Sequence, residues 1–214
     1  MEANKIEIRT LLISLGAVVS TEVATKIALP RGLYHPMVVL GMARLLEIIT
    51  IMLIVVIWGR GISSIGLALP RMLHGLKKGM IWSAGFGMVA CLVFALLFIA
   101  GINALGLIQT NLPPKNGEIA LFFLVGGIVG PVAEELLFRG ILYGFLRRWG
   151  MVVAVALTSV LFVLSHPITH GFPVTQVVGG ITFAVAYEVE GSLMAPITIH
   201  VLANMALFTL SLIF

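Results

Sequence analysis

The sequence has little charge and a single cysteine. Asp, Glu, Lys and Arg together make up 10% of its 214 residues. So few charges could not cover the water-facing surface of a soluble domain of this size, which excludes a soluble globular protein. Cys91 has no partner in its own chain, so an intrachain disulfide framework is excluded as well. The sequence also lacks a soluble domain, a low-complexity tract and the internal repeat that many transporters carry.

Apolar residues dominate the chain. They make up 60% of it, and the mean hydropathy is +1.14. A helix needs about 20 apolar residues to cross a bilayer, so the sequence predicts an all-α fold, a polytopic membrane bundle of about seven transmembrane helices. The segments are Thr10 to Leu29, Pro36 to Trp58, Met80 to Ile102, Ile119 to Phe145, Val152 to Ser165, Val174 to Tyr187 and Leu193 to Phe214. The fifth and sixth are short enough to be tilted or partly buried by neighbours.

We expect one integral membrane domain over residues 1–214. Residues 1–117 form N-terminal helices of unknown role, and residues 118–214 carry the motifs considered below. The net charge is +4, but the basic residues lie in short loops between apolar segments: Lys5, Arg9, Arg60, Arg71, Lys77, Lys78, Arg147 and Arg148. They fall on one side of the predicted bundle and indicate topology rather than nucleic-acid binding. The positive-inside rule predicts a cytoplasmic N-terminus. Since the sequence shows no long soluble extension or organelle-targeting segment, we expect a prokaryotic inner membrane.

Three charged residues interrupt the apolar stretch PVAEELLFRGILYGF: Glu134, Glu135 and Arg139. An ionised side chain at the centre of a bilayer costs roughly 2.5 to 3.5 kcal/mol, so three within six residues suggest a functional site. Adjacent residues on a helix point about 100° apart, so the two glutamates face different neighbours. Glu135 lies four residues before Arg139, at the spacing that pairs a carboxylate with a guanidinium. Glu134 is then free for another task, although a purely stabilising charge cluster is the alternative.

Pro131 stands just before the two glutamates. A proline within a helix removes one backbone hydrogen bond and clashes with the carbonyl four residues earlier. We therefore expect the fourth span to kink or restart between Gly127 and Pro131. A restart would place the glutamates in a first helical turn, where the helix dipole favours negative charge.

Two further motifs carry polar groups at membrane depth. His166 ends a short apolar span, and His200 and Asn204 lie four residues apart on one face of the last span. Each is weak evidence alone, since interfacial capping and helix-to-helix hydrogen bonding also explain them. A rise of about 1.5 Å per residue puts Glu134, His166 and Asn204 at a similar distance, roughly 18 to 22 Å, from the ends of their spans. The sequence thus predicts that these groups meet.

The motifs resemble those of the CPBP family of intramembrane proteases, named for CAAX-processing and bacteriocin-processing members and also called Abi. EELLFR is similar to the family's EExxxR, FVLSH to its FxxxH, and HVLAN to its HxxxN. Order and spacing agree over roughly the C-terminal half of the chain. The resemblance implies a glutamic-type intramembrane endopeptidase that acts on a membrane-anchored protein or peptide.

The resemblance also implies a role for each residue. Glu134 activates water, His166 assists, and His200 with Asn204 stabilises the oxyanion, while Glu135 and Arg139 support the site. Glu134, His166 and His200 are also the ligand types of a zinc site with one open position. No HExxH motif is present, and the family is regarded as glutamate-dependent, so we expect no cofactor, with zinc as the minority alternative.

Other charges lie within the first two spans. Glu22 and Lys26 belong to the first, and Arg44 and Glu47 to the second. Similar depths predict the pairs Glu22 with Arg44 and Lys26 with Glu47. The alternative is that Arg44 or Lys26 binds a charged end of the substrate.

Three functions are consistent with the sequence at this point. The first is the endopeptidase, maturing an exported precursor or removing a C-terminal sorting segment. An ion- or proton-coupled transporter would use Glu134 and the histidines as a proton relay. A non-catalytic bacteriocin immunity or assembly factor would bind a membrane peptide without cleaving it.

Overall fold

The computed structural model describes residues 6–32, 34–103, 106, 108–114, 116–166 and 173–213. Seven main helices and no strand are found in these ranges. They are α1 (Ile8–Ala28), α2 (Pro36–Ile57), α3 (Leu69–Ile99), α4 (Gly117–Trp149), α5 (Met151–Leu164), α6 (Val174–Glu190) and α7 (Met194–Ile213). Short 3₁₀ turns at Leu29–Arg31 and Ile62–Ile65 adjoin α1 and precede α3. The all-α polytopic fold is confirmed.

The lengths of the helices separate them into two groups. Among the described residues, α1, α2, α3, α4 and α7 lie in spans long and apolar enough to cross a membrane. Helix α5 has 14 residues and α6 has 17, which is fewer than the about 20 residues of a typical crossing. The expectation that these two segments are short is therefore confirmed. The predicted ends of α2 and α5 agree with the structure to within one residue.

Helix α3 begins earlier than the sequence suggested. It starts at Leu69 rather than near Met80, so residues 69–79 are helical, and their interpretation as a loop is wrong. Pro70 lies in the first turn, where its missing N–H has no helical partner to lose. Gly75 and Gly79 also let this part of α3 approach the start of α7, against Ser192 and Thr198. Close packing on α7 thus stabilises residues 69–79 as helix. The basic residues of this segment had suggested a loop.

Helix α4 passes through the middle of the fold and is not a regular α-helix. It contains π-helical turns at Val125–Val129 and Leu136–Tyr143, separated by the α-helical segment Gly130–Glu135. The irregularity predicted between Gly127 and Pro131 is therefore present as a π turn, but Val129 and Gly130 keep helical dihedrals, so the helix does not end and restart there. The wider π turn accommodates the proline ring without ending the helix. The glutamates consequently lie in a helix interior, and the dipole argument does not apply to them.

The basic segments meet at one end of the bundle. The contacts there are Arg60 with Glu7, Lys78 with Glu190, Arg147 with Glu188, and Arg148 with the carbonyl of Ile6. This agrees with the prediction that the basic loops share one side. Which side of the membrane it faces stays a prediction. Lys5 lies outside the described residues.

Candidate active site

A buried ion pair lies at the centre of the site. Arg139 Nη1 donates to Glu135 Oε1 at 2.9 Å, and both side chains are 0% exposed. The predicted pairing of these two residues is therefore present. Arg139 Nη2 also donates to the carbonyl oxygen of Gly180 on α6, at 3.0 Å. The guanidinium lies over the rings of Phe138, Phe162 and Phe183.

Glu135 makes a second contact that the sequence did not predict. Its Oε1 lies 2.8 Å from Nδ1 of His200 on α7. Because a carboxylate only accepts, Nδ1 carries the hydrogen and donates it. The His200 ring stacks on Phe183, with centroids 4.5 Å apart and planes at 23°. Glu135 therefore holds the imidazole as well as the arginine.

Glu134 points away from this pair, as its position on the helix predicts. Its Oε2 is buried and has no hydrogen-bond partner within the described part of the chain. The same atom lies 3.6 Å from His166 Nε2 and 3.9 Å from His200 Nε2. The side chains of Glu134 and His166 are 22% and 27% exposed, whereas that of His200 is 5% exposed. The structure thus brings one carboxylate and two imidazoles together, with Glu134 and His166 partly exposed and His200 buried.

His166 is oriented by the helix that precedes it. Its Nδ1 lies 2.8 Å from the carbonyl oxygen of Phe162, four residues earlier. A carbonyl only accepts, so Nδ1 carries a hydrogen and Nε2 faces Glu134. Helix α5 ends at Leu164, immediately before this residue. Phe162 also contacts the His166 ring, with centroids 4.6 Å apart.

Asn204 contacts the backbone of α4 rather than the three side chains above. Its Nδ2 donates to the carbonyl oxygen of Gly126 at 2.9 Å. The Glu134 carboxylate reaches back along α4, with Oε1 4.0 Å from where a Cβ on Gly130 would lie. A helical carbonyl points towards the following turn, so Gly126 O also faces the level of Gly130. Asn204 therefore lies at the level of the Glu134 carboxylate.

A second charged cluster lies on α1 and α2. Arg44 Nη1 lies 2.6 Å from Glu22 Oε1, so the first predicted pair is confirmed. It also lies 2.6 Å from Oε2 of Glu47, which is 3% exposed. Glu47 pairs with Arg44 on its own helix, so its predicted pairing with Lys26 is wrong, and Lys26 is exposed. A contact three residues away on one helix needs less ordering than one across two helices.

The proposed ligand types for a metal do come together, since Glu134 faces both His166 and His200. Over the ranges that the structure describes, however, no group of three or more His, Cys, Asp or Glu side chains could hold a metal ion. The absence of a metal cofactor stays a prediction.

The sequence-based reasoning missed the aromatic side chains around the site. Phe183 contacts both His200 and Arg139, and the Gly180 carbonyl accepts from Arg139. No pattern within α6 indicates these contacts, because their partners are 17 to 44 residues away along the chain. Phe162 is different, since it is the first residue of the FVLSH motif and its position was visible.

Comparison with known proteins gives a consistent result. Residues 116–206 match the family model described as "Type II CAAX prenyl endopeptidase Rce1-like". The chain is 32% identical over 94 residues to the membrane-embedded CAAX protease MroQ of Staphylococcus aureus (strain USA300), covering 41% of this chain and 38% of MroQ. It is 33% identical over 88 residues to the putative membrane peptidase YdiL of Bacillus subtilis (strain 168), covering 40% of this chain and 35% of YdiL. No solved structure matches the chain significantly.

The matched region is the part of the chain that builds the site. It extends over α4, α5, α6 and most of α7 and includes all three motifs. The chain spans little more than a third of the length of the two curated relatives. The resemblance read from the motifs is nevertheless confirmed, since residues 116–206 are similar to the CAAX-type membrane proteases of the CPBP family.

Proposed function

We propose that this integral membrane protein is an intramembrane endopeptidase in which Glu134 activates a water molecule for attack on a peptide bond. One observation carries the proposal. A buried carboxylate oxygen of Glu134 has no hydrogen-bond partner in the described structure and faces the Nε2 atoms of His166 and His200 at 3.6 and 3.9 Å. This is the arrangement that a general base and its assisting groups require.

The proposed nucleophile is a water molecule that contacts Glu134 and His166. An ionised carboxylate and the Nε2 of a neutral imidazole with hydrogen on Nδ1 are both acceptors, and at 3.6 Å they do not bond directly. A water beside both atoms would donate a hydrogen to Glu134 and keep a lone pair free. Attack of that lone pair on the substrate carbonyl carbon forms the new C–O bond, while Glu134 takes a proton. The proton then passes to the leaving nitrogen as the C–N bond breaks.

His200 and Asn204 are proposed to stabilise the oxyanion of the tetrahedral intermediate. Nδ1–H of His200 is used by Glu135, so its Nε2 donates only when the ring carries both hydrogens. Asn204 donates one N–H of its amide to Gly126 O. The second N–H of the same amide is the one proposed to bind the oxyanion.

The proposed substrate is a membrane-anchored protein or peptide that enters from the lipid. The family description names a CAAX prenyl endopeptidase, and the two relatives are named as membrane proteases. Maturation of an exported precursor and removal of a C-terminal sorting segment both fit this class. We further propose an inner-membrane location with the basic end, and hence the N-terminus, in the cytoplasm, because basic loops favour that side.

The direct test is co-expression with candidate membrane precursors, followed by mass analysis of the products. Wild-type protein should release new fragments, and Glu134→Ala should release none. Glu7→Gln is the matched control, since Glu7 is an exposed carboxylate at the basic end of the bundle and should leave cleavage unchanged. Cleavage that persists in purified Glu134→Ala would rule out the proposed mechanism.

A further inference from the structure

The π turn in α4 leaves one backbone carbonyl available. The amide N–H of Gly130 bonds to Val125 O, five residues earlier. In the same register the next donor, towards Gly126 O, would come from residue 131. That residue is Pro131, which has no N–H. The carbonyl of Gly126 therefore lacks the backbone donor that a regular helix would supply.

Asn204 supplies the missing donor. Its Nδ2 lies 2.9 Å from Gly126 O. Within a bilayer an unsatisfied backbone group costs several kcal/mol, so this hydrogen bond stabilises the irregular helix. Helix α7 also packs closely here, since a Cβ on Gly127 would lie 2.8 Å from Met205 Cε. The π turn of α4 and the polar face of α7 thus contact each other through this hydrogen bond.

We propose that Pro131 is a positioning residue: by withholding a backbone donor it leaves the Gly126 carbonyl free to orient the amide of Asn204. The inference rests on the proposed function, in which Asn204 is an oxyanion donor. An unrestrained amide can rotate by 180° and present its oxygen in place of its NH₂ group. Gly126 O repels Oδ1 and attracts Nδ2, so it selects the rotamer in which the donor end faces α4 and the site.

The predicted signature separates this role from a simple structural one. In Pro131→Ala the new N–H competes with Asn204 for Gly126 O. Alanine is the better helix former, so the thermal midpoint should not fall. We expect kcat to decrease about tenfold with KM unchanged. This is less than the roughly 100-fold to 1,000-fold decrease expected when an oxyanion donor is removed completely, because Asn204 is still present. Asn204→Ala should then reduce kcat much less in the Pro131→Ala background than in wild type, because the two changes affect one interaction.

A measurement on the carbonyl itself does not depend on activity. The sequence contains two Gly–Gly pairs, 126–127 and 179–180. Labelling glycine with ¹³C at the carbonyl and ¹⁵N at the amide therefore gives two one-bond carbonyl–amide correlations, and the Gly179–Gly180 signal serves as the reference. The carbonyl signal of Gly126 should move in Asn204→Ala, and should move in Pro131→Ala as the donor changes.

The outcomes are distinct. A Gly126 signal unchanged in both variants, or kcat of Pro131→Ala within twofold of wild type, overturns the role of Pro131. Strictly additive losses for Pro131→Ala and Asn204→Ala also overturn it. If the wild type cleaves no substrate, the proposed function fails. The labelled carbonyl still tests the hydrogen bond between Asn204 and Gly126 O in that case.

Discussion

His200 Nδ1 donates to Glu135 Oε1 at 2.8 Å, and Arg139 donates to the same oxygen at 2.9 Å. One buried carboxylate therefore connects α4 to α7, and the bond from Arg139 to Gly180 O extends the connection to α6. Glu135 is in this account a positioning residue. It sets the direction of the imidazole, while Glu134 beside it faces the accessible part of the site.

Removing Arg139 should severely destabilise the protein. Arg139→Ala leaves Glu135 fully buried without its cation, and breaking a buried pair from one side costs about 3 to 5 kcal/mol. Arg139→Lys should be intermediate, because lysine keeps the charge but loses the fork that reaches both Glu135 and Gly180. Thermal unfolding in detergent measures both effects. The control is Arg60→Ala at an exposed ion pair, and equal midpoints for Arg60→Ala and Arg139→Ala would contradict the account.

The cluster around Arg44 should prove structural. Arg44→Met leaves the buried Glu47 unpaired and should lower the unfolding midpoint. Replacing both, with Arg44→Met and Glu47→Met, should recover most of the loss, since an apolar pair needs no counter-ion. Lys26→Met is the control at an exposed lysine and should have little effect. If Arg44 instead binds substrate, Arg44→Met will keep its stability and raise KM.

The contact between α3 and α7 gives a prediction about packing. A Cβ on Gly79 would lie 2.6 Å from Thr198 Cβ and 2.8 Å from Ala195 O, so Gly79→Ala must push the two helices apart. Overpacking of this kind costs about 1 to 3 kcal/mol. Gly85→Ala on the same helix is the matched control, since no atom lies within 4 Å of its added Cβ. Unfolding midpoints of the two variants should differ, and a Gly79→Ala midpoint at or above that of Gly85→Ala would be the opposite result.

Metal dependence can be tested on the purified enzyme. We propose a metal-free reaction, so activity should survive exhaustive dialysis against chelators. A zinc protease treated in parallel shows that the dialysis removes bound metal. Loss of activity that returns on adding zinc, but not magnesium, would assign Glu134, His166 and His200 to a metal site instead.

The sequence predicted the features that depend on local patterns. Apolar segment lengths located the helices, and a spacing of four residues identified the pair Glu135 and Arg139. Even the meeting of Glu134 with His166 and His200 followed from counting helical rise along separate spans. These features arise from geometry within single helices or from the fixed thickness of a bilayer.

The remaining features depend on contacts between distant parts of the chain. Glu135 and His200 are 65 residues apart, and nothing near either residue indicates that they bond. The continuity of α4 through Pro131 was missed because a π turn can absorb a proline that an α-helix cannot. The early start of α3 depends on its packing against α7. The polar residues in the first turns of α3 gave no sign of this packing.

The central claim is that Glu134 activates water rather than attacking the substrate itself. A single turnover in H₂¹⁸O, with enzyme in excess over substrate, distinguishes the two mechanisms by mass spectrometry. Direct attack by water predicts one ¹⁸O atom in the new carboxyl terminus of the product and none in Glu134. Unlabelled product together with ¹⁸O in the Glu134 carboxylate would show that this residue forms a covalent intermediate, and would contradict the account.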